Sequence, residues 1–180
     1  MTIDNLVIQY LKRELPKIDM KFSYINRGGC GLFALYLYDA LESIGIETKI
    51  RLMNGPFGVL LSDDELNSCE SMHDIHSRDG SVGHIVLQFN EWYIDSTGAA
   101  TDADELIGMC TLTNNLMSRT TLKNICIDPD GWNDQFNRDQ CHEIELEVKL
   151  MVRRLSNKIK EFNYLYVRGI EINEAELLAA

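Results

Sequence analysis

Cys30 stands in Arg27-Gly28-Gly29-Cys30-Gly31, directly ahead of the apolar run Leu32-Phe33-Ala34-Leu35-Tyr36-Leu37-Tyr38. That spacing puts a thiol at the start of a buried helix, where unpaired backbone N–H groups and the helix dipole favour negative charge. A thiolate is the form such a site stabilises, and a thiolate is a nucleophile. Two more residues complete a set: His84 opens a strand, and Asp95 closes the next one. An imidazole can take and return the thiol proton, and a carboxylate can fix its tautomer and stabilise its charged form. The N–H of Cys30 faces the position where an oxyanion would develop, beside Gly31. Asn26, four residues upstream, offers a second donor from its amide.

The elements that must position these groups are legible in the pattern. Gly31 to Ile44 reads as a helix apolar on nearly every face, with Asp39 its one charge up to Leu41 and Gly45 its stop. His84 to Phe89 and Trp92 to Asp95 read as two strands joined by Asn90-Glu91, and Ser96-Thr97-Gly98 ends the second. If that loop has two residues, Phe89 faces Trp92, Gln88 faces Tyr93 and Val86 faces Asp95. Alternation then puts His84 and Asp95 on one face as diagonal neighbours, with backbones roughly 7–8 Å apart. Any odd loop length would separate them.

The Gly-Gly-Cys-Gly-x-x-Ala pattern at Gly28 to Ala34 resembles the core of the papain-like and transglutaminase-like cysteine enzymes. So do His84 at the head of a strand and Tyr93-Ile94-Asp95-Ser96-Thr97-Gly98 at the end of the next. The resemblance covers about residues 23 to 100. It implies a central Cys-bearing helix packed on a small antiparallel sheet, with Cys30 as nucleophile, His84 as base and Asp95 as orienter. Papain-like peptidases carry a Gln six residues before the Cys; Tyr24 stands there in this chain, and Asn26 is assigned the oxyanion role instead.

The remaining segments read as scaffold. Ile3, Leu6, Val7, Tyr10, Leu11 and Leu15 form an amphipathic helix that Pro16 should end. Glu47 to Met53 reads as a strand stopped by Asn54-Gly55-Pro56, and Ser62-Asp63-Asp64-Glu65 as a capping box opening a helix towards His73. Arg78-Asp79-Gly80-Ser81 is a loop into the His84 strand. After Gly98 the chain reads as mostly helical: Thr101 caps a short helix through Met109, and Asp128-Pro129-Asp130-Gly131 is a turn. A long amphipathic helix then carries Ile144, Val148, Met151, Leu155, Ile159 and Phe162 on one face. That stripe packs on its own domain or, as the alternative, forms a homodimer seam through residues 140–162.

A second constellation, Cys69, His73 and His76, would share one face of a continuous helix at a spacing that can hold zinc with a further ligand. Ordinary surface histidines explain it more simply, and the adjacent pair Cys141-His142 does not share a helix face. No metal and no cofactor is expected.

Composition bounds the rest. The 180 residues suit one domain, 45% hydrophobic and 25% charged, which excludes a disordered chain. It divides into a core region 23–100, a helical remainder 101–163 and a tail 164–180. A formal charge of -11 argues against a nucleic-acid partner. Nothing reads as a signal peptide or an uninterrupted apolar span, so no membrane partner is expected. Five widely spread cysteines fit a reducing, cytoplasmic setting rather than a disulfide scaffold.

The expectation is therefore a single α+β domain with a papain-like or transglutaminase-like core and a helical C-terminal half. It would act as a cysteine-dependent hydrolase or acyl transferase on a protein, peptide or small amide. The alternative is a non-catalytic binding protein on the same fold, using its acidic surface or long C-terminal helix.

Overall fold

The computed structural model describes residues 2–22, 25, 29–54, 61–78, 83–108, 113–127 and 138–179. It is an α+β protein with eight helices and a five-stranded antiparallel sheet among those residues. The helices are α1 (Ile3–Lys21), α2 (Cys30–Glu42), α3 (Asp63–Asn67), α4 (Met72–Ser77), α5 (Ala103–Ile107), α6 (Arg119–Ile127), α7 (Arg138–Val167) and α8 (Glu174–Ala179). The strands are β1 (Lys49–Asn54), β2 (His84–Phe89), β3 (Trp92–Asp95), β4 (Gly98–Ala100) and β5 (Thr113–Met117), in the order β4-β3-β2-β1-β5.

The apolar composition of α2 places it at the centre. Leu32, Phe33, Ala34, Leu35, Leu37, Ala40 and Leu41 are all buried, in one cluster with Ile85, Leu87 and Phe89 of β2 and Ile50 and Leu52 of β1. Helices α1, α6 and α7 enclose it. Asp39, the charge noted in the apolar run, is half-buried and takes a two-pronged ion pair from Arg119 of α6, at 2.5 and 2.7 Å. Gly45 ends the helical segment with φ +81°, and the Ile46 N–H returns to the Leu41 carbonyl at 3.1 Å, a glycine-dependent stop. On the opposite face of the sheet Met53, Val86 and Ala103 make a smaller cluster with Tyr93.

The hairpin has the register derived from the two-residue loop: Leu87 pairs with Ile94, Gln88 with Tyr93 and Phe89 with Trp92. Asn90 adopts φ +53°, the left-handed conformation that a tight hairpin turn requires and that Asn tolerates.

Several expectations need correction. Pro16 does not end α1, which runs on to Lys21. An interior proline costs about 3 kcal/mol; here the last turn buries Ile18 and Phe22, and Asp19 accepts a 2.6 Å hydrogen bond from Ser96 Oγ. The capping box at Ser62 is present, but its helix stops at Asn67, because Ser71 caps a second helix by accepting from the Asp74 N–H. The short helix after β4 starts at Ala103, capped by Asp102 rather than Thr101, and ends at a left-handed Gly108.

The second half is not wholly helical. A two-residue turn at Ser96-Thr97 adds β4, and β5 adds an edge strand beside β1. Neither Gly-Ala-Ala nor Thr-Asn-Asn-Leu-Met has the β-branched alternation that marks a strand; both form because a neighbouring strand is waiting. Strand β5 is further held by α3: Asp63 Oδ1 accepts from the Leu116 N–H at 3.0 Å, and Asn67 Nδ2 donates to the Leu116 carbonyl at 2.9 Å. The segment set apart as a tail is structured over residues 164–179. Helix α7 reaches Val167, and α8 folds back so that Leu177 packs with Leu6 and Phe162.

The apolar stripe of α7 packs within the chain: Ile144, Val148, Met151, Leu155 and Phe162 are buried, and the helix lies against α1 and α2. Among the described residues no helix is long and apolar enough to cross a membrane. The turn at Asp128 to Gly131, the loop through Asp79 to Ser81, Gly55-Pro56 and Met109 lie outside the described residues.

Candidate functional site

Cys30 is the first residue of α2, His84 the first of β2 and Asp95 the last of β3. All three stand at the ends of their elements, which is why a helix head and two strand ends of opposite direction can meet. By alternation His84 and Asp95 share the Val86 face, away from the body of α2. Their terminal positions bring them to its head.

His84 Nε2 and Asp95 Oδ2 lie 2.9 Å apart, within hydrogen-bonding distance and buried, with 8% and 2% of the residues exposed. Cys30 lies close enough to the His84 ring to act on its titration. Burial alone would push the His84 pKa down. The hydrogen bond to Asp95, the proximity of Cys30 and the negative charge both can carry outweigh it, and the pKa rises from 6.5 to about 9.

Asp95 is oriented as well as buried. Its Oδ1 accepts from the Thr97 N–H at 2.7 Å and from the Thr97 hydroxyl at 2.6 Å, leaving Oδ2 for the ring. The turn role of an aspartate before Ser-Thr-Gly and the histidine-orienting role are therefore one arrangement, with one oxygen assigned to each. Ser96, fully buried, ties the same turn to Asp19 at the end of α1.

The start of β2 is fixed from below. The Gly83 N–H donates to the buried Asn54 Oδ1 at 2.7 Å, joining the end of β1 to the residue before His84. A side chain at Gly83 would strike the Met53 carbonyl oxygen and lie 2.8 Å from Asn54 Oδ1, so this approach requires glycine. Asn54, Ser96 and Thr97 stand out in the sequence only as strand-end residues, and Gly83 and Asp19 not at all. Of these only Thr97 carries a local signal, the Asp-x-Thr pattern of a side-chain-bonded turn.

At the head of α2, Gly29 is the cap residue and supplies no side chain to it, and no acidic residue lies in the first turn. The N–H groups of Cys30 and Gly31 are among those an α-helix leaves without an intrahelical partner. Gly31 is buried. Asn26 and Tyr24 lie outside the described residues, as do Gly28 and Cys110.

Cys69, His73 and His76 do not share a helix face. The helix is interrupted between α3 and α4, Cys69 lies in the core with its thiol donating to the Glu65 carbonyl at 3.4 Å, and both histidines are exposed. Among the described residues no three His, Cys, Asp or Glu side chains gather as a metal site needs. Cys126, on α6, is buried in the same core as Cys30; burial first, then the charges of Cys30 and Cys141, push its thiol up to about 12. Comparison of the chain with protein-family models, with curated proteins and with solved structures gave no match, so the reading of this site rests on its own geometry.

Proposed function

We propose that the protein is a cysteine-dependent hydrolase or acyl transferase with a papain-like or transglutaminase-like core, acting on an amide or ester carbonyl. The observation that carries this reading is the buried His84–Asp95 pair, 2.9 Å apart, with Cys30 close enough to the ring to help raise its pKa. A protonated ring beside a sulfur is the arrangement in which a cysteine is kept as a ready thiolate.

In the proposed cycle Cys30 Sγ attacks the carbonyl carbon, forming a C–S bond while the carbonyl electrons move onto oxygen. The N–H groups at the head of α2 and the Asn26 amide receive that oxyanion. Collapse restores the carbonyl and expels the amine or alcohol, which takes its proton from His84, leaving a thioester on Cys30. Neutral His84 then removes a proton from water, the hydroxide adds to the thioester, and collapse releases the acid and the thiolate. An amine in place of water gives transfer. Hydrolysis, as a protease, amidase or deamidase, is favoured because no acceptor site is evident among the described residues.

The burial of Cys30, 4% exposed, favours the second reading, a non-catalytic binding protein on this fold. Alkylation of the folded protein with iodoacetamide at neutral pH, with each cysteine followed by peptide mass analysis, separates the two. The enzyme reading expects Cys30 to be modified far faster than Cys69, Cys110, Cys126 and Cys141; equal rates at all five would sink it.

A further inference from the structure

A cavity of about 640 Å³ lies between α1 and α7, lined by Tyr10, Arg13, Glu14, Lys17, Arg154, Asn157, Lys158 and Glu161. It involves none of the residues at the head of α2. Its charge runs against that of the chain: four cations face two carboxylates, in a protein of net charge -11. The reversal begins in the sequence, where Lys149, Arg153, Arg154, Lys158 and Lys160 fall within residues 149–160 without one Asp or Glu.

The cations are unevenly committed. Glu14 Oε1 takes Arg13 Nε and Lys17 Nζ, each at 2.7 Å, and Arg13 also donates to the Leu178 carbonyl. Arg154 has no ion-pair partner among the described residues. Lys158 is the telling residue. It is 8% exposed, yet its ammonium has only Glu161, at 4.0 Å, beyond hydrogen-bonding distance. The stem of Lys158 is buried while its ammonium reaches the cavity, which the exposed guanidinium of Arg154 also lines.

We infer that this cavity binds a phosphate monoester, with Lys158 and Arg154 taking the phosphate. An excess of two positive charges matches a dianion, and a guanidinium beside an ammonium offers the forked and the point donor that phosphate oxygens accept. The cavity is far larger than a bare phosphate ion and falls in the range of small-molecule sites, so it accommodates an organic part against Tyr10 and Asn157.

Isothermal titration calorimetry of the full chain at constant ionic strength tests this with inorganic phosphate, phenyl phosphate and citrate as probes. Saturable binding is expected for both phosphates, tighter for phenyl phosphate, and weakened about tenfold or more by Lys158→Met and by Arg154→Gln. Lys158→Met keeps an apolar stem in the buried position, and Arg154 is exposed, so the second variant reports even if the first fails to fold. Lys149→Gln, on the same helix outside the cavity, should leave binding unchanged. The inference is overturned by unsaturable heats, by citrate binding more tightly than either phosphate, by wild-type affinity in Arg154→Gln, or by equal weakening in Lys149→Gln.

Discussion

Cys30 and Cys126 are two thiols in one core, and they differ in what faces them. Both are buried, at 4% and 1% exposed, and both belong to the same apolar cluster. Cys126 sits within α6 among apolar side chains, where burial and two neighbouring cysteines push its pKa to about 12 and hold it as an inert thiol. Cys30 heads a helix and neighbours the His84 ring, which pairs with Asp95. Burial alone therefore does not distinguish the two; in the proposed function the neighbouring His84 ring and the helix terminus do.

The contrast should collapse most completely in His84→Ala. Iodoacetamide modification of Cys30 at pH 7 is expected to fall on the order of 100-fold, towards the rate of Cys126, since the base and its charge are both lost. An unchanged rate would show that the helix head alone activates the sulfur.

Asp95→Asn should come next, at about tenfold in the same assay. Its sharper readout is the His84 titration followed by NMR, whose midpoint should drop from about 9 towards 6.5 as one of the two groups raising it is neutralised. The sign for stability follows. A folded pKa above the unfolded value means that the interaction stabilises the protein fully below about pH 6.5 and is lost as pH rises through about 9. Urea unfolding between those limits should show falling stability in the wild type and a flatter profile in Asp95→Asn.

Gly83→Ala leaves every chemical group in place and should still reduce Cys30 labelling, because the added carbon strikes the Met53 carbonyl oxygen and displaces the start of β2. A loss of about 1–3 kcal/mol in unfolding free energy is expected, with Cys126 remaining unreactive in the folded state. The smallest effect belongs to Ser96→Ala. Losing the 2.6 Å bond to Asp19 should cost about 1 kcal/mol, while Cys30 labelling stays near the wild-type rate. A labelling defect as large as that of Asp95→Asn would mean that α1 helps position the carboxylate.

How much of the site could be read from residues alone varies with distance along the chain. The His84–Asp95 pair follows from one loop of two residues, because strand alternation propagates a local turn into a fixed register. The convergence of Cys30 depends on contacts more than fifty residues apart, and the support from Gly83, Asn54 and Asp19 had no local signature. Pro16 makes the same point in the other direction. Its local preference to end a helix yields to the burial of Ile18 and Phe22 against a core no nearby residue reveals.

The sequence by itself determined the buried helix behind Cys30, the hairpin and its register, and the apolar stripe of α7, since each is set by periodicity or turn chemistry within a few residues. Only the tertiary structure decided that α1 runs through Pro16, that Cys69 turns inward away from His73, that β4 and β5 join the sheet, and that Lys158 is buried beside a cavity. Each of those outcomes is fixed by a partner distant in the chain, whose burial or hydrogen bond outweighs what the local residues prefer.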